Sequence, residues 1–325
     1  MIVDFEDACW TTGSAEWDRS LVELLVLLVK NEQHAILADS NALLLWCARC
    51  LPTHVEYFKI RLAAAQCRAN SLTVYVSVGG AAAAVGAPPW ILTANAAQDI
   101  VSAPLRLFLE NNKSDQMFVE ATIPAFAKWR DSSWVTAVMG GGTAMQGDMK
   151  LAANDDVARW RTFFLFDSDR LHPDELNPGW APPGGDRCQG HQFESLCAGL
   201  PANRWHRLSR RSIENYLPQA VLVPLNQQLA ITLSSPSVGN MVKHFNFKEG
   251  LAGDGVSPPR ATHAVRASRS KGFWLALTAA EVATLQNGFG SNVSNEFSNI
   301  PANYSWSHDV VSEAASLSDA LQDAL

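Results

Sequence analysis

Two short apolar runs in this chain stop abruptly on carboxylates. Leu105-Arg-Leu-Phe-Leu109 closes on Glu110, and Phe163-Phe-Leu-Phe166 closes on Asp167-Ser168-Asp169. A near-continuous apolar run of four or five residues suits a strand buried on both faces. Trp134 to Met139 is a third such run, closed by Gly140-Gly141-Gly142, and Trp205 to Leu208 is a fourth. Helical stretches lie between them, among them Phe118 to Trp129 with Pro124 set to interrupt it. Strands alternating with helices predict βαβ units and a mostly parallel sheet. In such sheets ligands gather beyond the carboxyl ends of the strands, which is where the acids of this chain fall.

The 325 residues suffice for about two domains, and three regions separate by texture. Residues 1–103 are expected to be mainly helical, from apolar groups such as Leu21 to Leu28 and Leu43 to Trp46. Residues 104–222 form the expected α/β domain, and residues 223–325 a mixed, mostly helical region. There, Thr278 and Glu281 are spaced as a capping box.

Several function classes are disfavoured. Asp plus Glu number 32 against 25 Lys plus Arg, a net charge of −7, which argues against a general nucleic-acid coat but not against an enzyme whose carboxylates are offset by cations. No run approaches the roughly 20 apolar residues of a membrane span, and the acidic start, Met1 to Asp7, is unlike a secretory leader. A cytoplasmic protein with reduced thiols is expected, since six cysteines are sparse for this length. Cys47-Ala-Arg-Cys50 stands alone without a second metal-binding pair. There is neither a phosphate-binding loop of the G-x-x-x-x-G-K-[ST] type nor a G-x-S-x-G elbow.

Carboxylates converging on one edge repel one another unless cations neutralise them. Oxygen-only donors favour Mg²⁺ or Mn²⁺. The order of Glu110, Asp115, Asp167 and Asp169, followed by Ile213-Glu214-Asn215-Tyr216, resembles the TOPRIM domain, and in particular the OLD-type and related stand-alone TOPRIM nucleases of bacterial anti-phage defence. The resemblance covers about residues 104–220. It departs from the family pattern where Glu110-Asn-Asn-Lys-Ser-Asp115 lacks the usual glycine and has a step of five rather than four. Asn111, which tolerates left-handed backbone, is the residue that would stand in for that glycine.

The resemblance implies a TOPRIM-like, mostly parallel sheet flanked by helices, and two-metal hydrolysis of nucleic-acid phosphodiester bonds. Two Mg²⁺ or Mn²⁺ ions about 3.5–4 Å apart would clamp the attacking and leaving oxygens. Asp167 and Asp169 would hold one, Glu110 with Asp115 the second, and Glu214 would be a further ligand. Lys248 is the candidate catalytic cation, and Arg204, Arg207, Arg210 and Arg211 form a candidate phosphate-backbone strip. Family relatives carry an ATPase in the same chain, so here an ATPase or sensor partner would be a separate protein; a homo-oligomer stays open. Three other readings remain. Asp167 and Asp169 also suit a haloacid-dehalogenase-type phosphatase, and Asp-x-Asp a sugar-nucleotide transferase, though both leave Glu110 unused. An inactive TOPRIM scaffold binding a protein or nucleic acid is the non-enzymatic alternative.

Overall fold

A computed structural model describes residues 1–30, 34–65, 72–184, 186–257, 260–261, 269–270 and 272–325. Among these, the chain builds two four-stranded parallel sheets flanked by helices, with a two-stranded antiparallel ribbon near its C-terminal third. No helix of the described residues is long and apolar enough to cross a membrane.

The first sheet corrects the expectation of a mainly helical N-terminal region. It runs β1 (Ile2–Phe5), α1 (Ala15–Lys30), β2 (Ala35–Leu37), α2 (Ser40–Cys50), α3 (Val55–Ala65), β3 (Thr73–Ala81), β4 (Trp90–Leu92) and α4 (Ala94–Ser102). The strand order is β2-β1-β3-β4, all parallel. The helices are where the leucine groups predicted them: Leu21, Leu24, Leu25 and Leu28 recur at helical spacing and are fully buried. Residues 31–33 and 66–71 of this region lie outside the described residues.

The second sheet continues with β5 (Leu105–Leu109), α5 (Asn112–Thr122), α6 (Ala125–Asp131), β6 (Val135–Met139), α7 (Thr143–Asn154), α8 (Ala158–Arg161), β7 (Thr162–Phe166), α9 (Gln189–Cys197) and β8 (Trp205–Arg207). Its order is β6-β5-β7-β8, again parallel throughout. Pro124 divides α5 from α6 because it cannot continue the hydrogen-bond ladder.

Side chains of a strand alternate between faces, and both faces of this sheet are covered. Leu105, Leu107, Leu109, Phe163 and Leu165 face one core, and Phe108, Phe164 and Phe166 face another. The first of these cores also takes in Leu229, Phe245, Leu285, Phe297, Leu317 and Leu321. The region beyond residue 222, short helices and the long helix His308–Ala324, therefore packs as one layer of the second sheet rather than around a core of its own.

Because β6 lies on one side of β5 and β7 on the other, the chain reverses direction across the sheet between β5 and β7. That crevice is where an open parallel sheet binds ligands, and Glu110 and Asp167 follow directly on those two strands.

Candidate metal centre

Four segments carry the acids to this crevice. Glu110 follows β5, Asp115 sits in the first turn of α5, Asp167 and Asp169 follow β7, and Glu214 belongs to a short 3₁₀ turn, Ile213–Tyr216. Asp115 is 7% exposed and Glu214 only 1%.

Backbone amides orient most of the carboxylates. Glu110 Oε1 accepts from the Asp167 amide at 2.8 Å, which ties the two strand ends together. Asp167 Oδ1 accepts from the Ile213 amide at 3.1 Å. Asp169 Oδ2 accepts from the Gly190 amide at 3.0 Å, at the start of α9. Asp115 turns back to accept from the Asn111 amide at 2.9 Å and from Ser114 Oγ at 3.3 Å. Asn111 itself has φ −126°, so this turn needs no left-handed residue, contrary to the role expected of it. The five-residue step from Glu110 is taken up by the helix start, and Asp115 still reaches the cluster.

Glu214 is different. Neither of its buried oxygens has an aligned hydrogen-bond partner; its contact is an ion pair with Lys248 Nζ at 2.9 Å. Asn215 explains how Lys248 gets there. Its Nδ2 donates to the carbonyls of Val242 and Phe245, both at 2.9 Å, while its Oδ1 accepts from the Ser212 amide. Tyr216 packs on Phe118 at 5.0 Å between ring centres, and its hydroxyl accepts from the Arg210 amide. Asn215 therefore staples the segment leading to Lys248, while Tyr216 anchors its own 3₁₀ turn against α5.

The electrostatics are those of a crowded set of like charges. Burial, then the Asp169 charge, pushes Glu110 up to about 8. Burial and Glu214 push Asp115 up to about 6. Burial, Glu110 and Glu214 hold Asp167 well above the usual carboxylate range. Asp169 is raised by burial, against the opposing pull of Arg211 and Arg269. Burial alone would depress Lys248, but Glu214, Asp167 and Asp115 outweigh it and hold the ammonium charged.

Two close approaches depend on glycine. A Cβ on Gly190 would lie 2.3 Å from the Ser168 carbonyl oxygen and 2.6 Å from that of Asp167. A Cβ on Gly141 would lie 2.6 Å from the Glu110 carbonyl oxygen. The turn after β6 and the start of α9 thus press directly on the acid-bearing segments.

The donor chemistry, buried and half-buried carboxylates with the Glu214 oxygens held only by an ion pair, fits a hard divalent cation. Among the described residues, however, no three His, Cys, Asp or Glu side chains are drawn together as a finished ligand set. Cys47, Cys50, Cys188 and Cys197 are free thiols, and Cys188 donates to the Ser168 and Asp169 carbonyls.

The predicted arginine strip does not form. Arg204 is buried over the Trp160 ring. Arg207 pairs with Glu194 at 2.7 Å, and Arg210 with Asp309 at 2.7 Å. Arg211 makes a two-pronged pair with Asp254, at 2.6 and 2.7 Å, and leans toward Asp169. These are internal pairs rather than an open basic face. Arg269 went unnoticed in the sequence because no motif surrounds it. It pairs with Glu175 and Asp186, and donates to the Asp169 carbonyl at 3.0 Å. The chain matches no protein-family model, no curated protein and no solved structure.

Proposed function

We propose that the chain is a metal-dependent nuclease that hydrolyses phosphodiester bonds in the manner of TOPRIM domains. The observation that carries this reading is the meeting of Glu110, Asp115, Asp167, Asp169 and Glu214 at the crevice between β5 and β7, with Lys248 paired to one of them. Five like charges gathered at one crevice, two of them buried and three half-buried, are costly for stability, and a site that retains them is explained by cations that neutralise them.

Asp167, Asp169 and Glu110 would hold Mg²⁺ or Mn²⁺, with Asp115 and Glu214 completing the donors. Bound there, the ions supply charge against the developing phosphoryl oxyanions and activate water. The chain's own groups do the rest. The amides of Asp167, Ile213 and Gly190 fix the carboxylates before substrate arrives. Lys248 keeps a positive charge beside Glu214, where it can meet a phosphate oxygen.

A non-enzymatic reading, a TOPRIM scaffold that binds a partner, is favoured by one observation: the described carboxylates do not already form a finished ligand set. A cleavage assay separates the two. Plasmid, linear duplex, single-stranded DNA and tRNA are incubated with Mg²⁺, Mn²⁺ or EDTA, beside an Asp167→Ala/Asp169→Ala control. Metal-dependent cutting lost in the control is the expected result. Metal binding without cutting on any substrate supports the scaffold, and no metal binding removes both readings of the site. A defence role and a separate ATPase or sensor partner follow from the same proposal and are tested by co-purification from cells carrying neighbouring genes.

A further inference from the structure

A cavity of about 540 Å³ opens beside Asp169. Its walls include Arg187, Arg211 and Arg269, together with Gly142 and Thr143 at the start of α7 and Gln189 at the start of α9. We infer that this cavity is a phosphate-binding subsite that receives one nucleotide next to the bond being cut. The inference rests on the nuclease reading of the adjoining carboxylates for its role, but not for its binding chemistry.

The lining selects an anion. Arg187, Arg211 and Arg269 line the cavity beside the single Asp169 carboxylate, and the polar walls disfavour an apolar ligand. Arg211 and Arg269 are locked in place by Asp254, Glu175 and Asp186, so ordering them adds little entropic cost to binding. Arg187 is exposed and has no ion-pair partner among the described residues, so its charge is the one left unneutralised. A helix start adds to it. Gly142 takes φ +60° and gives α7 no side-chain cap, whereas in α9 the Gly190 amide is already taken by Asp169, so α7 is the helix start that offers amides here. Uncapped first-turn amides carry partial positive charge and donate to anions. A planar fork with backbone amides suits the several oxygens of a phosphate.

Size and position narrow the ligand. The volume falls in the range of pockets that hold a single small molecule, about 300–1,000 Å³, which fits one nucleotide and excludes a duplex. Asp169 belongs both to this cavity and to the acid cluster. A nucleotide bound here therefore touches the proposed metal centre. The phosphate could come from a free nucleotide or from a single-stranded chain; the recognising chemistry is the same.

The test uses the full chain in EDTA, so that no cleavage occurs. Inorganic phosphate, 5′-AMP and a short single-stranded oligonucleotide are titrated by calorimetry into wild type, Arg187→Ala, Arg187→Glu and Asp167→Asn. Saturable one-to-one binding of phosphate and 5′-AMP is expected, weakened at least about tenfold by Arg187→Ala, lost in Arg187→Glu and retained in Asp167→Asn. Arg187 is exposed, so both variants should fold, and circular dichroism checks that they do. An oligonucleotide binding more than tenfold tighter than 5′-AMP identifies a chain as the ligand; equal affinity identifies a free nucleotide. Absence of saturable phosphate binding, or binding undiminished in both Arg187 variants, overturns the inference. Phosphate binding in a protein that never cuts nucleic acid would sink the nuclease reading alone, and cutting without phosphate binding would sink only the subsite.

Discussion

Glu214 and Lys248 hold each other in an unequal way. Glu214 is 1% exposed with no aligned hydrogen bond, whereas the Lys248 side chain is 43% exposed. Removing the lysine leaves a buried charge without compensation, which for fully buried pairs costs about 3–5 kcal/mol. Water around Lys248 softens this, so Lys248→Met should destabilise the fold by about 2 kcal/mol. Glu214→Gln on the Lys248→Met background should recover most of that loss in urea unfolding; no recovery would mean that the lysine acts elsewhere. Asp167 poses the opposite case. Its carboxylate is repelled by Glu110, Glu214, Asp115 and Asp169. Asp167→Asn keeps the acceptor oxygen for the Ile213 amide and removes the charge. It should raise the melting temperature in EDTA, more so as pH rises, while reducing cleavage to background. A melting temperature below wild type at pH 8.5 would contradict the repulsion derived for this site.

At the scale of elements, the chain leaving β7 is held at Asp169 from several sides. Asp169 takes φ +53°, an uncommon conformation for a side chain other than glycine. The Arg211 carbonyl accepts from its amide, Arg269 donates to its carbonyl and Gly190 donates to its carboxylate. Gly190→Ala would drive a methyl into the Ser168 carbonyl at 2.3 Å. Overpacking of this kind costs about 1–3 kcal/mol, and α9 must shift to relieve it. The variant should lose cleavage as well as stability, seen as a lowered denaturant midpoint together with loss of activity. Loss of stability with full activity would show that Asp169 need not be held this tightly. The strands of this sheet were legible because Leu105–Leu109 and Phe163–Phe166 are bounded runs with chemistry at their ends. Of the N-terminal strands, only β3 was legible, as the β-rich run Leu72 to Val78. Ile2–Phe5, Ala35–Leu37 and Trp90–Leu92 have only three or four residues. An apolar run that short cannot be told by periodicity from part of a buried helix. The arginine strip failed for a related reason: spacing along the chain says nothing of the acids, Asp254 and Asp309, that arrive from 40 to 100 residues later.

Across the whole molecule, the five candidate acids were grouped by the order of their motifs along the chain, and the pairing of β5 with β7 sets the strand ends that carry Glu110 and Asp167 side by side. Their mutual repulsion makes a prediction about the intact fold. Glu110 is raised to about 8, and Asp167 is held well above the ordinary carboxylate range, against unfolded values near 4. Between those values the folded state binds more protons than the unfolded state, so metal-free stability must fall as pH rises. His244 acts in the other direction: burial lowers it to about 4, so it favours folding as pH rises, but only up to its unfolded value near 6.5. The histidine effect has ended by about pH 6.5, and the acid cluster carries the slope up to about pH 8, where the raised thiols of Cys9, Cys47 and Cys197 begin to add to it in the same direction. In EDTA the melting temperature should decline steadily between about pH 6.5 and 8.5. Glu110→Gln should remove much of the slope. Saturating Mg²⁺ or Mn²⁺ should flatten or reverse it, because the ion replaces the protons, and metal affinity should rise by up to about tenfold per pH unit for each proton displaced. A metal-free melting temperature that rises from pH 6.5 to 8.5, or one that divalent ions leave unchanged at pH 8.5, would mean that these carboxylates are not held together as a cation site.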